Sequence, residues 1–107
     1  MIQISADGQT LTLDAISWSA LQTKIKQAED INGFIIIRED YYDFNGSNIY
    51  ALDTNGAKVW TAELHNKSDI FVGFDFDGST LRCQTWNGFS CQIDINSGAL
   101  VGKVFTK

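Results

Sequence analysis

His65 is the single histidine of this 107-residue chain, and Cys83 and Cys91 are its two cysteines. A histidine beside a thiol is the minimal pair for nucleophilic catalysis, because the imidazole takes the thiol proton. The pattern around these residues points elsewhere. His65 lies in the polar run His65-Asn66-Lys67-Ser68-Asp69, which reads as a surface connection. Both cysteines alternate with polar residues in strand-like runs, on the same face as Leu81 and Ile93. A thiol in that position behaves as a small buried hydrophobe. Glu39, Asp40 and Asp43 form a second candidate, a carboxylate cluster after an apolar run. Such a cluster supplies acid and base roles if a pocket gathers it. A solvated strand end accounts for the same residues without chemistry. An enzyme is therefore the alternative function, and it rests on Glu39, Asp40 and Asp43 or on Cys83 with His65.

Three Asp-containing turns, Asp43-Phe44-Asn45-Gly46-Ser47, Asp53-Thr54-Asn55-Gly56 and Asp75-Phe76-Asp77-Gly78-Ser79, look superficially like calcium loops. They lack the ligand spacing and the closing bidentate Glu of such loops. Asp and Asn also favour turns for a local reason, since they bond to their own backbone. No metal site is assigned. Phosphate-binding Gly-rich loops, HExxH, CxxC and GxSxG are absent, and no cofactor is expected.

The aromatic residues are more suggestive. Tyr41, Tyr42 and Phe44 surround the acidic cluster, and Trp86 sits at a predicted hairpin tip. Exposed aromatics beside acids suit a basic partner protein. Packing beneath the N-terminal hairpin is the other way to accommodate them.

Composition narrows the classes. Thirteen acids against eight bases give a formal charge of −5. Nucleic acids and anionic membranes are bound through Lys and Arg, so that balance argues against both. Residues Met1 to Leu13 lack the basic and apolar blocks of a signal peptide. A cytoplasmic protein with reduced thiols is expected. There is no proline and no low-complexity linker, so residues 1–107 read as one domain.

The elements that must position these residues are marked by turns. Asp7-Gly8, Asn45-Gly46, Asn55-Gly56, Asp77-Gly78 and Asn87-Gly88 are hairpin dipeptides, with Asn32-Gly33 and Ser97-Gly98 close to them in type. Ile2, Ile4, Leu11 and Leu13 alternate with polar residues as an N-terminal hairpin. Trp18, Leu21, Ile25 and Ala28 recur at helical spacing between a Ser17 N-cap and the Asn32-Gly33 stop. This spacing predicts a helix over about residues 18–31. Phe34 to Ile37 reads as a central strand buried on both faces. An antiparallel meander follows, giving an α+β fold with the helix packed on one face of the sheet.

Register follows from the apolar pattern. A two-residue loop at Asp77-Gly78 and a three-residue loop at Trp86-Asn87-Gly88 put Leu81, Cys83, Cys91 and Ile93 under the helix, with Cys83 opposite Cys91. Phe71, Gln84, Ser90 and Phe105 then form one cross-strand row on the opposite face. Aromatic anchors flanking polar groups suit an interface. The expected partner-binding residues are Phe71, Phe105, Gln84, Ser90, Trp86, Tyr41 and Tyr42, for a protein partner or a second copy.

The segment Ile49-Tyr50-Ala51-Leu52-Asp53-Thr54-Asn55-Gly56-Ala57-Lys58-Val59-Trp60 resembles the hairpin of a PQQ-type β-propeller blade, and Phe89 to Leu100 echoes it. The resemblance covers one hairpin and at most two blades of strands, so it implies no closed propeller and no quinone site. In size, charge and layout the whole chain is similar to small acidic bacterial integron-cassette and toxin-immunity proteins. That similarity implies a non-enzymatic binding module, of an immunity or regulatory type.

Overall fold

The computed structural model describes residues 1–106. Eleven strands form three antiparallel sheets, and no segment among the described residues is helical. The first sheet contains β1 (Gln3–Ile4), β2 (Thr10–Leu13) and β3 (Ile16–Ser19). The second contains β4 (Ile25–Ile31), β5 (Phe34–Glu39), β6 (Ile49–Leu52) and β7 (Lys58–Thr61). The third contains β8 (Phe71–Phe76), β9 (Leu81–Thr85), β10 (Phe89–Ile93) and β11 (Leu100–Phe105). Each sheet is a meander in chain order, as expected where tight turns join neighbouring strands.

The expected α+β fold is overturned. The segment 18–31 is the end of β3, a connection, and β4. Asn32-Gly33, which also suits a helix stop, is a hairpin turn here. Ile31 pairs with Phe34 across it, and both turn residues have positive φ, 51° and 86°. That is the twist-matched two-residue loop of an antiparallel pair. Ile25 and Ile31 are buried at the two ends of β4, in the cores on opposite faces of the middle sheet, which a single helical stripe could not reach. Helical spacing is a local signal, and strand pairing overrides it here.

The middle sheet is buried from both sides. Ile36 packs with Ile49, Ala51 and Trp60 of its own sheet against Phe71, Phe74, Leu81, Cys83, Cys91 and Ile93 of the third. Ile35, Ile37, Tyr50 and Leu52 pack the other way, against Leu11 of the first. This is why Ile35-Ile36-Ile37 is apolar without alternation. Leu81 does lie opposite Ile93, and Cys83 opposite Cys91, but the middle sheet covers them instead of a helix.

Side chains stitch the layers. Gln27 donates through Nε2 to the carbonyl of Phe74 at 2.7 Å and accepts the Phe74 N–H at 3.3 Å. The Trp60 indole N–H donates to the Ile95 carbonyl at 2.9 Å, and its ring lies on Gly98. A Cβ at Gly98 would come within 2.6 Å of that ring, and φ there is 77°. Both constraints demand glycine.

Two bulges redirect the outer row. In β8 the register shifts between Phe71 and Gly73, which turns Phe71 inward, 0% exposed. In β11 the shift opposite Gln92/Ile93 places Phe105 across from Phe89. Phe71 and Phe105 therefore do not share a row with Gln84 and Ser90. An extra residue flips every side chain beyond it, and neither bulge has a marker in the sequence. The turn at Asp77-Gly78 also differs, because Phe76 pairs with Leu81 around a longer loop. The Asp77 carboxylate accepts the Ser79 and Thr80 N–H groups, at 3.0 and 2.9 Å, and so holds that loop.

Candidate functional site

The aromatic residues from two distant segments meet at one surface. The connection between β5 and β6 carries Tyr41 and Tyr42, and the β9–β10 hairpin tip carries Trp86. Tyr41 stacks on Tyr42 with centroids 5.5 Å apart and tilts against Trp86 at 5.8 Å. Tyr42 is 72% and Trp86 60% exposed, while Tyr41 is half-buried between them. They do not pack beneath the N-terminal hairpin.

Both segments are held in place by hydrogen bonds. The Asp40 N–H donates to the Lys24 carbonyl at 2.7 Å, and Thr23 Oγ1 donates to the Asp40 carbonyl at 2.8 Å. The Gln22 amide pairs with the main chain of Asn45 in both directions. At the hairpin tip, the Trp86 N–H donates to the Ile70 carbonyl at 2.9 Å, and the Asn87 N–H donates to Asp69 Oδ1 at 3.1 Å. The aromatic rings thus stand on a preorganised base, which lowers the ordering cost of contact with another surface. Asp40 and Asp43 lie in the same connection. Burial draws the Arg38 guanidinium below its ordinary value, opposed by Asp40 and Tyr41. Asp43 is left as the exposed acid.

The carboxylate cluster is divided between core and surface. Glu39 is fully buried, while Asp43 is exposed. Glu39 accepts N–H bonds from Leu21 at 2.7 Å and from Gln22 and Thr23 at 3.0 Å. It also accepts the Tyr50 hydroxyl at 2.5 Å, and that hydroxyl accepts the Trp18 indole N–H at 2.8 Å. Burial first, then the bond to Glu39, pushes the Tyr50 hydroxyl far above its ordinary value, so it stays a donor. Glu39 is a structural anchor for the 20–24 connection.

His65 is also engaged. Its Nε2 lies 2.7 Å from Asp69 Oδ2 and its Nδ1 3.3 Å from Lys103 Nζ. Its ring packs on Phe89 at 4.6 Å, and Phe89 packs on Phe105 at 5.2 Å. Neither ring nitrogen is directed to a thiol. Both cysteines are free and buried. Burial first, then Cys91, pushes the Cys83 thiol well up, which opposes thiolate chemistry.

Asp77, as described above, and Asp53 cap their own turns, whereas in the Asp43–Ser47 turn the Asn45 N–H donates to Gln22. Asp53 Oδ1 accepts from Asn55 and Ala57 N–H at 2.8 and 3.0 Å, and Asp94 Oδ1 accepts from Asn96 N–H at 2.9 Å. Among the described residues no group of His, Cys, Asp and Glu is placed to hold a metal ion. A half-open cleft of about 230 Å³ lies between the first two sheets, lined by Leu13, Asp14, Ile16, Asp30, Ile35 and Thr54 among others. It is smaller than ordinary ligand pockets and contains none of the candidate catalytic residues.

Of the expected partner-binding residues, the structure unites Tyr41, Tyr42 and Trp86 at one surface. It pairs Gln84 with Ser90 on the polar outer face of the third sheet. Phe71 is core and unavailable. Phe105 remains 59% exposed, on the face of Phe89. Val101 and Val104 of β11 are exposed as well and were not among the expected partner-binding residues.

The family described as "Domain of unknown function (DUF7957)" matches residues 1–105. No curated protein matches the chain. The chain is similar in structure to the computationally designed Ika8 protein, with a TM-score of 0.66 and 14% identity over 99% of this chain and 33% of that one. It is similar to BamB from Moraxella catarrhalis, with a TM-score of 0.59 and 23% identity over 100% of this chain and 35% of that one. It therefore spans about a third of either structure. At these identities the likeness concerns fold alone.

Proposed function

We propose that this chain, which belongs to the DUF7957 family, is a non-enzymatic protein-binding module that docks a basic partner on the Tyr41–Tyr42–Trp86 surface. The observation that carries this reading is the stacking of these rings across two segments, with Tyr42 and Trp86 open to solvent. Rigid aromatic anchors dominate the energetics of protein interfaces. Asp43 beside them and a net charge of −5 favour a cationic partner, whose Lys and Arg side chains also stack on aromatic faces. A regulatory or immunity-type role, in which the module occupies a basic protein, is the form that the charge supports.

The test is an amide and indole NMR titration with an Arg- and Lys-rich peptide and with its Glu-substituted counterpart. The basic peptide is expected to shift Trp86, Tyr41 and Tyr42, with affinity falling as salt rises. A double variant Tyr42→Ala/Trp86→Ala is expected to bind at least about tenfold more weakly. Equal shifts with both peptides, or shifts confined to other surfaces, count against the reading.

A further inference from the structure

The third sheet ends on two unlike edges. At the β8 edge, side-chain amides take the main-chain groups that a further strand would bind: Asn48 those of Phe71, and Gln27 those of Phe74. At the β11 edge only the first residue is engaged in this way, where Glu63 Oε1 accepts the Leu100 N–H at 2.8 Å, and no hydrogen bond from a side chain reaches the main chain of Lys103 or Phe105 among the described residues. Exposed edges are normally protected by charge, shortness or distortion. β4 carries Lys26, Glu29 and Asp30. β7 has four residues and a register shift opposite Ala51/Leu52. β11 runs six residues with one charge, Lys103, and exposes Val101 at 65% and Val104 at 57% together with Phe105.

The hydrogen-bond phase of β11 is fixed by its end. The Thr106 N–H donates to the Gly88 carbonyl at 2.7 Å. By alternation, Val104 pairs with Ser90 through hydrogen bonds, while Lys103 and Phe105 oppose Cys91 and Phe89 without them. Lys103 and Phe105 therefore turn their N–H and C=O groups to the open edge.

We propose that β11 pairs antiparallel with β11 of a second copy, about a two-fold axis through Val104. The occupant is a second copy because the strand complements itself in one register. A two-fold pairing must use Lys103 and Phe105 as its hydrogen-bonding residues. Setting Lys103 against Lys103 opposes two ammonium groups, which is unfavourable. Setting Phe105 against Phe105 engages only the end of the strand. Setting Lys103 against Phe105 uses both residues of both copies. It places each ammonium beside the other copy's Phe105 ring, much as Lys103 Nζ already stands 5.2 Å from the Phe89 centroid. Val104 then faces Val104 at the close, non-hydrogen-bonded position, where β-branched pairs pack well. The third sheets of two copies become one continuous sheet, and the patch is isologous as a two-fold requires. An edge contact of this size buries less than about 1,200 Å², so the dimer is weak and exchanges rapidly.

Sedimentation equilibrium of the whole chain from about 10 μM to about 1 mM reads the association directly. A monomer–dimer equilibrium is expected. Val104→Lys, which brings two ammonium groups together, is expected to weaken it at least about tenfold. Val101→Lys lies on the same strand outside the paired residues and is expected to change it less than about twofold. Under mild oxidation Val104→Cys is expected to give a disulfide-linked dimer, and Val101→Cys none. All four substitutions are at exposed positions, and circular dichroism checks that each variant is folded. A parent that stays monomeric across the range, a Val104→Cys variant that does not cross-link, or equal weakening by both lysines overturns the proposal. So does a dimer abolished by Trp86→Ala but indifferent to Val104→Lys, which would move the contact to the aromatic surface.

Discussion

Asn48 closes both main-chain hydrogen bonds of Phe71. Its Oδ1 accepts the Phe71 N–H at 3.1 Å, and its Nδ2 donates to the Phe71 carbonyl at 2.8 Å. The same Nδ2 donates to the Glu39 carbonyl at 2.9 Å. One buried amide thus substitutes for a strand at the β8 edge and joins the second sheet to the third.

Removing that amide leaves buried main-chain groups without partners, at about 1–3 kcal/mol for each such group. Asn48→Ala is therefore expected to cost about 3 kcal/mol in urea or guanidinium unfolding. Asn48→Asp is expected to do no better, because it loses both donors and turns an oxygen toward two carbonyls. A loss below about 1 kcal/mol for Asn48→Ala would show that the sheets are held by apolar packing alone.

Glu39 should matter for stability in a way that its acidic neighbours do not. Glu39→Gln replaces one accepting oxygen with a donor that faces N–H or O–H groups, and is expected to cost about 2 kcal/mol. Amide exchange at Leu21, Gln22 and Thr23 should quicken with it. Asp40→Asn and Asp43→Asn are expected to stay within about 0.5 kcal/mol of the parent. Equal effects at all three sites would remove the anchoring role.

Acid should act through Asp69. Burial raises its carboxyl, but His65, Thr85 and the Ile70 and Asn87 N–H groups outweigh this and hold it below the ordinary carboxylate value. A depressed folded value means that the unfolded chain binds the proton first. The stabilisation is fully present above the ordinary value of about 3.9 and is lost as pH falls toward the lower folded value. Thermal melts from neutral pH to about pH 3 should therefore fall more steeply for the parent than for Asp69→Asn. Parallel curves would count against this contribution.

The thiols should be slow. Burial pushes both Cys83 and Cys91 upward, and the middle sheet covers them. Labelling with a thiol reagent at neutral pH is expected to require opening of the core, and to become fast in denaturant. Rapid labelling of either cysteine in the folded chain would contradict this.

The sequence alone determined the features that rest on short-range chemistry. Asp or Asn before glycine marks turns because these pairs tolerate positive φ, and Gly8, Gly33, Gly46, Gly56, Gly78 and Gly88 all adopt it, as does Gly98 after Ser97. The three-residue Trp86–Gly88 loop and the Cys83–Cys91 and Leu81–Ile93 pairs followed from turn chemistry and alternation together. Tyr41, Tyr42 and Trp86 were legible as candidates, since large aromatics beside acids or at a hairpin tip call for an explanation. Their meeting at one surface was not legible, because it depends on how two sheets stack. Tertiary structure also decided that residues 18–31 are two strand segments and a connection instead of a helix. Trp18, Leu21, Ile25 and Ala28 fit a helix locally, but Asn32-Gly33 folds β4 back onto β5, and the pairing partner outweighs local spacing. The bulges near Phe71 and Val101 were decided there too, since an unpaired residue is set by the partner strand. Each bulge reverses a face, and this is why Phe71 entered the core while Phe105 crossed to the side of Phe89.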